Sequence, residues 1–289
     1  MIKKFTPALL ASLSLVTTSS FATVVLLDFG PTDPAGFETS SPAHQTGAIS
    51  SGDTFWNVVG TGAGATGTVS GLSYADGSAA SGVSFTYGLS SLGGKSLAFD
   101  GSNGAISTSH ALGSAALGSH YSGNVPGKDG LFNGSGTQDY SLGVRIDGLV
   151  AGNYDLYLMG RNTNTAAVRT MEVFANSGAS TDAFDFSSLS PVTLLNQEAA
   201  TSGWILGEDY GLISLSLAAS ESLFIAFDGL DGSPDTRGFM NAIQIVSTSP
   251  SAVPEPSTVV LLVGLLCGGA LARRRLMRRN ASGQGQYSR

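Results

Sequence analysis

The chain has 289 residues, with 14 Lys+Arg against 21 Asp+Glu, 39 Gly, 10 Pro and a single Cys. Charged residues make up 12% of it, about half the usual share for a soluble protein, while 42% are hydrophobic, enough for a sizeable core. These proportions exclude a coiled coil, a collagen, a charged tail protein and a disulfide-stapled scaffold.

The first residues read as an address. Lys3 and Lys4 form a positive n-region, Phe5 to Val16 is mostly apolar, and Ser20-Phe21-Ala22 surrounds a cleavage point after Ala22. The expectation is a secretory signal peptide over 1–22. A retained anchor is the alternative, but the apolar stretch falls short of the roughly 20 residues a spanning helix needs.

From Thr23 onward, period-two alternation and β-branched or aromatic residues dominate. Strands are predicted at Thr23 to Phe29, Phe55 to Val59, Gly67 to Leu72, Val83 to Tyr87, Ser96 to Phe99, Tyr140 to Ile146, Asn153 to Met159, Val168 to Phe174, Gly203 to Leu206, Leu212 to Leu217, Leu223 to Phe227 and Phe239 to Val246. Turn signals such as Ala75-Asp76-Gly77, Asp100-Gly101, Asp147-Gly148 and Asp231-Gly232 separate them. No segment keeps a helical period for more than about two turns. The pattern implies an all-β sandwich or barrel over 23–247.

The sharpest unit runs from Tyr140 to Met159, with Leu142, Val144 and Ile146 on one side of the first strand and Tyr154, Leu156 and Leu158 inward on the second. Its Gly148-Leu149-x-x-Gly152-x-Tyr154 connection resembles one seen in galactose-binding-like and malectin-like jelly rolls. The final strand, Met240 to Val246, is similar to the closing strand that returns beside the first in such domains. The resemblance covers about forty residues. It implies a β-sandwich of jelly-roll-like architecture and no particular activity.

The body from Thr23 to Ala252 has no cysteine and six basic residues, Lys95, Lys128, Arg145, Arg161, Arg169 and Arg237, against twenty acids, a net charge of −14. Such a surface repels nucleic acid and anionic lipid and attracts divalent cations. Gly62-x-Gly64-x-x-Gly67 fits a dinucleotide fingerprint, but no helix follows it. Gly93-Gly94-Lys95-Ser96 is out of register with a phosphate loop, and Asp28-Phe29-Gly30 has no kinase core before it. His44, His110 and His120 are the only histidines; the last two lie in a Gly/Ser/Ala-rich stretch where a loop outweighs a shared zinc or copper site. Carboxylate pairs such as Glu208-Asp209 read as solvated turn residues, so no catalytic residue is expected.

Asp228, Asp231 and Asp235, just before the last strand, form the richest oxygen cluster, and calcium is the cation they would suit. The plainer reading is a turn in which Arg237 neutralises a neighbouring aspartate. For glycan contact the candidates are Trp204, Tyr210, Trp56 and Tyr121, because sugar faces stack on exposed rings. Core packing is the stronger expectation for Trp56, and Trp204 is evenly balanced.

The tail has three parts in order. Val253-Pro254-Glu255-Pro256-Ser257 precedes an apolar run from Thr258 to Ala272, then Arg273, Arg274, Arg275, Arg278 and Arg279. Fifteen helical residues reach about 22 Å, short of roughly 30 Å of hydrocarbon, so spanning needs Leu276, Met277 and snorkelling arginines. The positive cluster stays cytoplasmic and leaves the Pro-Glu-Pro side exported. This arrangement closely resembles the PEP-CTERM sorting signal of Gram-negative bacteria. The resemblance implies recognition of Pro254, Glu255 and Pro256 by an exosortase, a stop-transfer role for the arginines, and association with exopolysaccharide production. The polar stretch 280–289 departs from the family pattern, and an ordinary membrane anchor is the plainer alternative.

The organisation expected is therefore a signal peptide over 1–22, a sandwich over 23–247, a linker over 248–253, a sorting signal with a short transmembrane helix over 254–279 and a tail over 280–289. The function expected is a noncatalytic envelope or extracellular-matrix protein associated with exopolysaccharide. A secreted polysaccharide-active hydrolase or lyase and a purely structural surface-layer component are the alternatives.

Overall fold

The computed structural model describes residues 23–30, 40–60, 64–110, 125–165, 167–196 and 203–248. The signal-peptide segment, the linker beyond Thr248, the sorting tail and Tyr121 lie outside the described residues, as does His120. Among the described residues no helix is long and apolar enough to cross a membrane.

In chain order the elements are β1 (Val24–Phe29), α1 (Pro42–Gln45), β2 (Asn57–Val59), β3 (Thr68–Val69), β4 (Ser84–Ser90), β5 (Ser96–Ala98), β6 (Thr108–His110), β7 (Gly130–Phe132), β8 (Leu142–Asp147), β9 (Gly152–Met159), β10 (Met171–Ala179), β11 (Ala183–Asp185), β12 (Val192–Leu194), β13 (Gly211–Leu217), β14 (Glu221–Gly229) and β15 (Ala242–Ser247). One sheet has the order β13-β9-β15-β1-β2, and a second has β11-β5-β4-β8-β14-β10-β12 with β3 beside β4. β6 and β7 form a small ribbon.

The two large sheets share one core, which makes the fold a β-sandwich. Val25, Leu27 and Phe29 of β1, Leu156 and Leu158 of β9, and Ile243 and Ile245 of β15 meet Phe85, Val144, Ile146, Val173, Ile225 and Phe227 of the facing sheet. Phe29, Phe85 and Tyr87 interlock edge to face, with centroids 5.0 to 6.4 Å apart. Along β1, β4, β14 and β15 the alternate, outward residues are buried too, apart from the half-buried first residues of β4 and β14.

Over the five-stranded sheet, Val24, Leu26, Tyr157, Met159, Ala242 and Val246 lie under Ala43, Ile49, Trp56, Trp204 and Tyr210. Gln244 is also fully covered there, donating to Ser41 Oγ at 2.7 Å and accepting from the Ala43 amide at 3.1 Å. Across the molecule, Phe184 and Phe186 fold over Leu97, Phe99, Phe174 and Phe224, with Phe184 stacked 5.3 Å from Phe224.

Most predicted strands form, several longer than expected: β4 runs to Ser90, β10 to Ala179 and β14 to Gly229. Gly203 to Leu206 does not form a strand. The Asp209 carboxylate accepts from the Ile205 amide at 2.8 Å, and Gly207 has φ 82°, so the chain turns there. The ribbon β6–β7, β11, β12 and the single-turn α1 are elements the alternation did not announce.

β15 does return beside β1, antiparallel, with Val24 opposite Val246. β8 and β9 belong to different sheets, so the segment between them is a corner rather than a hairpin. Gly148 makes that corner possible. Its φ is 82°, and a Cβ would stand 1.9 Å from the Gly82 carbonyl oxygen. The Tyr154 hydroxyl then donates to the Val150 carbonyl four residues back at 2.5 Å, a tyrosine corner that pins the crossover. Burial pushes its phenol up to about 12, which keeps it a donor at physiological pH. Tyr154→Phe is expected to lower stability by about 1 kcal/mol with the fold retained, measured as a shift of the denaturation midpoint.

Both ends of the described domain lie together. The Ser247 amide donates to Thr23 at 2.9 Å and the Thr248 amide to Asn153 at 2.8 Å. The opposite end of the sandwich collects the final residues of β1, β4, β9 and β14 and the first residues of β8, β10, β13 and β15.

Candidate functional site

That opposite end carries most of the buried polar side chains. Asp228, near the end of β14, is fully buried; Lys95 Nζ meets its Oδ2 at 2.6 Å and Ser141 Oγ donates to its Oδ1 at 2.8 Å. Glu172 stands opposite Asp228 in the β10–β14 register, and Asp231 Oδ2 is 3.8 Å from the same ammonium. Asp139 feels the charges of Lys95, Asp228 and Asp231, and its Oδ1 is buried without a partner. Four carboxylates thus surround one lysine.

Burial pushes Asp228 above the ordinary aspartate range, against the pull of Lys95 and Ser141. Asp139 is raised chiefly by burial, as is Glu172, with Asp228 adding like-charge repulsion to each. For Lys95 burial acts downward, but the hydrogen bond and charge of Asp228 outweigh it and its ammonium is held more tightly than usual.

Next to this cluster, Arg237 clasps Asp235 through Nε to Oδ1 and Nη2 to Oδ2, both at 2.8 Å. Asn162 Nδ2 donates to the same carboxylate at 3.0 Å. The guanidinium lies over Phe132 at 4.5 Å and Phe239 at 5.1 Å, so charge, fork geometry and ring faces all fix it. Burial acts to raise Asp235, but Arg237 and Asn162 prevail and hold it below the usual range.

A third group borders the five-stranded sheet. Arg161 and Asp209 are both buried, Nη1 to Oδ1 3.6 Å, and the Arg161 amide donates to Asn241 Oδ1 at 2.7 Å. Asn196, at φ 47°, donates Nδ2 to the Gly160 carbonyl at 3.1 Å.

Two sets of expected site residues are corrected by this geometry. Trp56, Trp204 and Tyr210 are each only 4% exposed, because their rings cover the outer face of the five-stranded sheet. A sugar ring therefore has no face to stack on at any of them. Asp228, Asp231 and Asp235 do not converge on a cation either: Asp228 and Asp231 turn to Lys95, while Asp235 is held by Arg237 and Asn162. Among the described residues no group of three or more His, Cys, Asp or Glu side chains could hold a metal. The turn in which Arg237 neutralises Asp235 is the arrangement found.

Sequence reasoning missed Lys95, Asp139, Ser141 and Glu172 as partners of Asp228, and Arg161 as the partner of Asp209. The available signal was scarcity: with six basic residues in the body, each cation was a candidate anchor for a buried carboxylate.

No protein-family profile matches the chain, and no curated protein matches it. Among solved structures it is similar to a Bacillus subtilis protein (11% identity, 78% of this chain and 40% of that one, TM-score 0.32). It is also similar to a family 35 carbohydrate binding module from Clostridium thermocellum (13%, 49% and 88%, TM-score 0.30) and to a Paenibacillus xanthan lyase (19%, 66% and 14%, TM-score 0.29). The chain thus spans less than half the length of the Bacillus protein and a seventh of the lyase. Likenesses at this level carry no argument about function, and the sandwich stands on the strand pairing above.

The polar end sets two measurable properties. Lys95→Met leaves Asp228 buried without its counter-charge and is expected to cost about 2 kcal/mol, discounted for the part of Lys95 that water reaches, in a denaturant midpoint. Asp139, Glu172 and Asp228 have folded values above their unfolded ones, so the folded state binds more protons and stability falls as pH rises through that window. Asp235 acts oppositely and contributes stability that is lost only in stronger acid. The thermal midpoint is therefore expected to be higher at about pH 5 than at about pH 8, and Asp139→Asn should shrink the difference.

Proposed function

We propose that this chain is an exported envelope or matrix protein of a Gram-negative bacterium, sorted by an exosortase and displaying a noncatalytic, jelly-roll-like sandwich associated with exopolysaccharide. The observation that carries this reading is the ordered tail: Pro254-Glu255-Pro256, the undersized apolar run to Ala272, and the arginines from Arg273 to Arg279. The apolar segment before Ala22 and the low-charge body agree with export. The jelly-roll-like assignment draws on the tyrosine corner at Tyr154 and on β15 pairing with β1.

Display is supported by the position of the chain ends. The last described residues, Ser247 and Thr248, lie at the end of the sandwich opposite the polar cluster. The noncatalytic part is supported by how the carboxylates are used. Asp228, Asp209 and Asp235 at the polar end are tied to Lys95, Arg161 and Arg237, which occupies them as structural partners.

Replacing Pro254 and Pro256 together by Ala is expected to trap the full-length form in the inner membrane of the native host. Fractionation with immunoblotting checks this, and unchanged processing and location would overturn the sorting assignment. Release of reducing ends from exopolysaccharide by the purified protein would overturn the noncatalytic one.

A further inference from the structure

The structure commits most of the body's few cations. Lys95 pairs with Asp228, Arg145 with Asp147 and Asp182, Arg161 with Asp209, and Arg237 with Asp235. Arg169, two residues before β10 at the polar end, differs from these. Among the described residues it meets no carboxylate; Nη1 donates to the adjacent Val168 carbonyl at 3.0 Å, and Nε is buried with no acceptor. A guanidinium has five donors in a planar fork built for an oxyanion, and a buried donor left unpaired is costly. Among the described residues the fork therefore has one acceptor, the Val168 carbonyl, and no counter-charge.

The two segments bordering Arg169 present apolar side chains to solvent. Val168 is 53% exposed, and Leu230, whose amide donates to Thr170 at 3.1 Å, is 36% exposed. A guanidinium fork among exposed aliphatic groups suits a ligand that joins a planar anion to an apolar ring face. Long-range charge narrows the choice further, because a body of net charge −14 repels any dense polyanion.

We propose that Arg169 anchors an acidic sugar: its guanidinium takes the carboxylate of a uronic acid unit, spaced by neutral sugars along an exopolysaccharide, while Val168 and Leu230 contact the ring. This deepens the exopolysaccharide reading and rests on it. Asp231 follows Leu230 and Glu172 lies three residues beyond Arg169, so both bordering segments carry a like charge that opposes the incoming carboxylate.

The test uses the purified full-length protein in detergent, titrated by calorimetry with a glucuronate-containing oligosaccharide, its carboxyl-reduced form, a neutral gluco-oligosaccharide and inorganic phosphate. The acidic form is expected to bind about tenfold more tightly than its reduced form, a difference that Arg169→Gln abolishes and Arg169→Lys keeps in part. Asp231→Asn should strengthen binding of the acidic form by a few fold. The thermal midpoints of the Arg169 variants report whether they fold, and Arg169→Lys carries the test if Arg169→Gln does not. Equal binding of acidic and reduced forms, or an unchanged preference in Arg169→Gln, overturns this inference and leaves the exopolysaccharide reading standing. Phosphate binding as tightly as the acidic oligosaccharide overturns the sugar assignment, and absence of binding to every saccharide overturns both.

Discussion

Burial of both faces of the central strands β1, β15, β4 and β14 is the constraint from which the rest follows. A sandwich with an ordinary solvated exterior would show alternating apolar and polar residues along each strand. Here the exterior of the five-stranded sheet carries α1, Trp56, Trp204 and Tyr210, and that of the eight-stranded sheet carries Phe184 and Phe186. The chain needs few charges because few strand positions meet water. Aromatic side chains do much of the covering because thin connecting segments must cover wide areas, and one ring covers more than one aliphatic side chain.

Such covering pushes the chemistry toward the ends. With the middle of each broad face covered, buried polar groups gather where strands stop and backbone donors and acceptors must be matched. The Lys95–Asp228 and Arg161–Asp209 pairs hold strand termini together at a desolvation cost that favours specificity of arrangement over raw stability. Asn57 does comparable work at the edge beyond β1, donating to the Leu26 and Ser73 carbonyls and accepting from the Ser73 amide. That edge is closed to strand addition.

The sequence disclosed its strands where period-two alternation survived, as in Leu142-x-Val144-x-Ile146, and marked a short connection at Gly148, Gly152 and Tyr154 without showing that it passes between sheets. It concealed the covers. α1 is one turn long, and β11 is three residues whose Phe184 looks like any loop phenylalanine until the sheet beneath it is known. The same gap misplaced the aromatic candidates, because Trp204 beside Gly203 gives no local sign of whether its ring meets water or a distant strand. The partnership of Lys95 with Asp228 spans 133 residues, and no spacing rule reaches that far. Within the turn, where Asp235 and Arg237 are two residues apart, the pairing was legible.

The pairing of β1 with β15 also sets an order of events. The first strand of the domain cannot acquire that antiparallel neighbour until the last strand has been made, so nearly the whole body must leave the ribosome before the central sheet can close. Contacts of such wide sequence separation slow folding. Val24 to Phe29, a mostly apolar strand, therefore spends the longest interval waiting for its mate, and holding that segment apart from other chains is the step at which a chaperone would matter most.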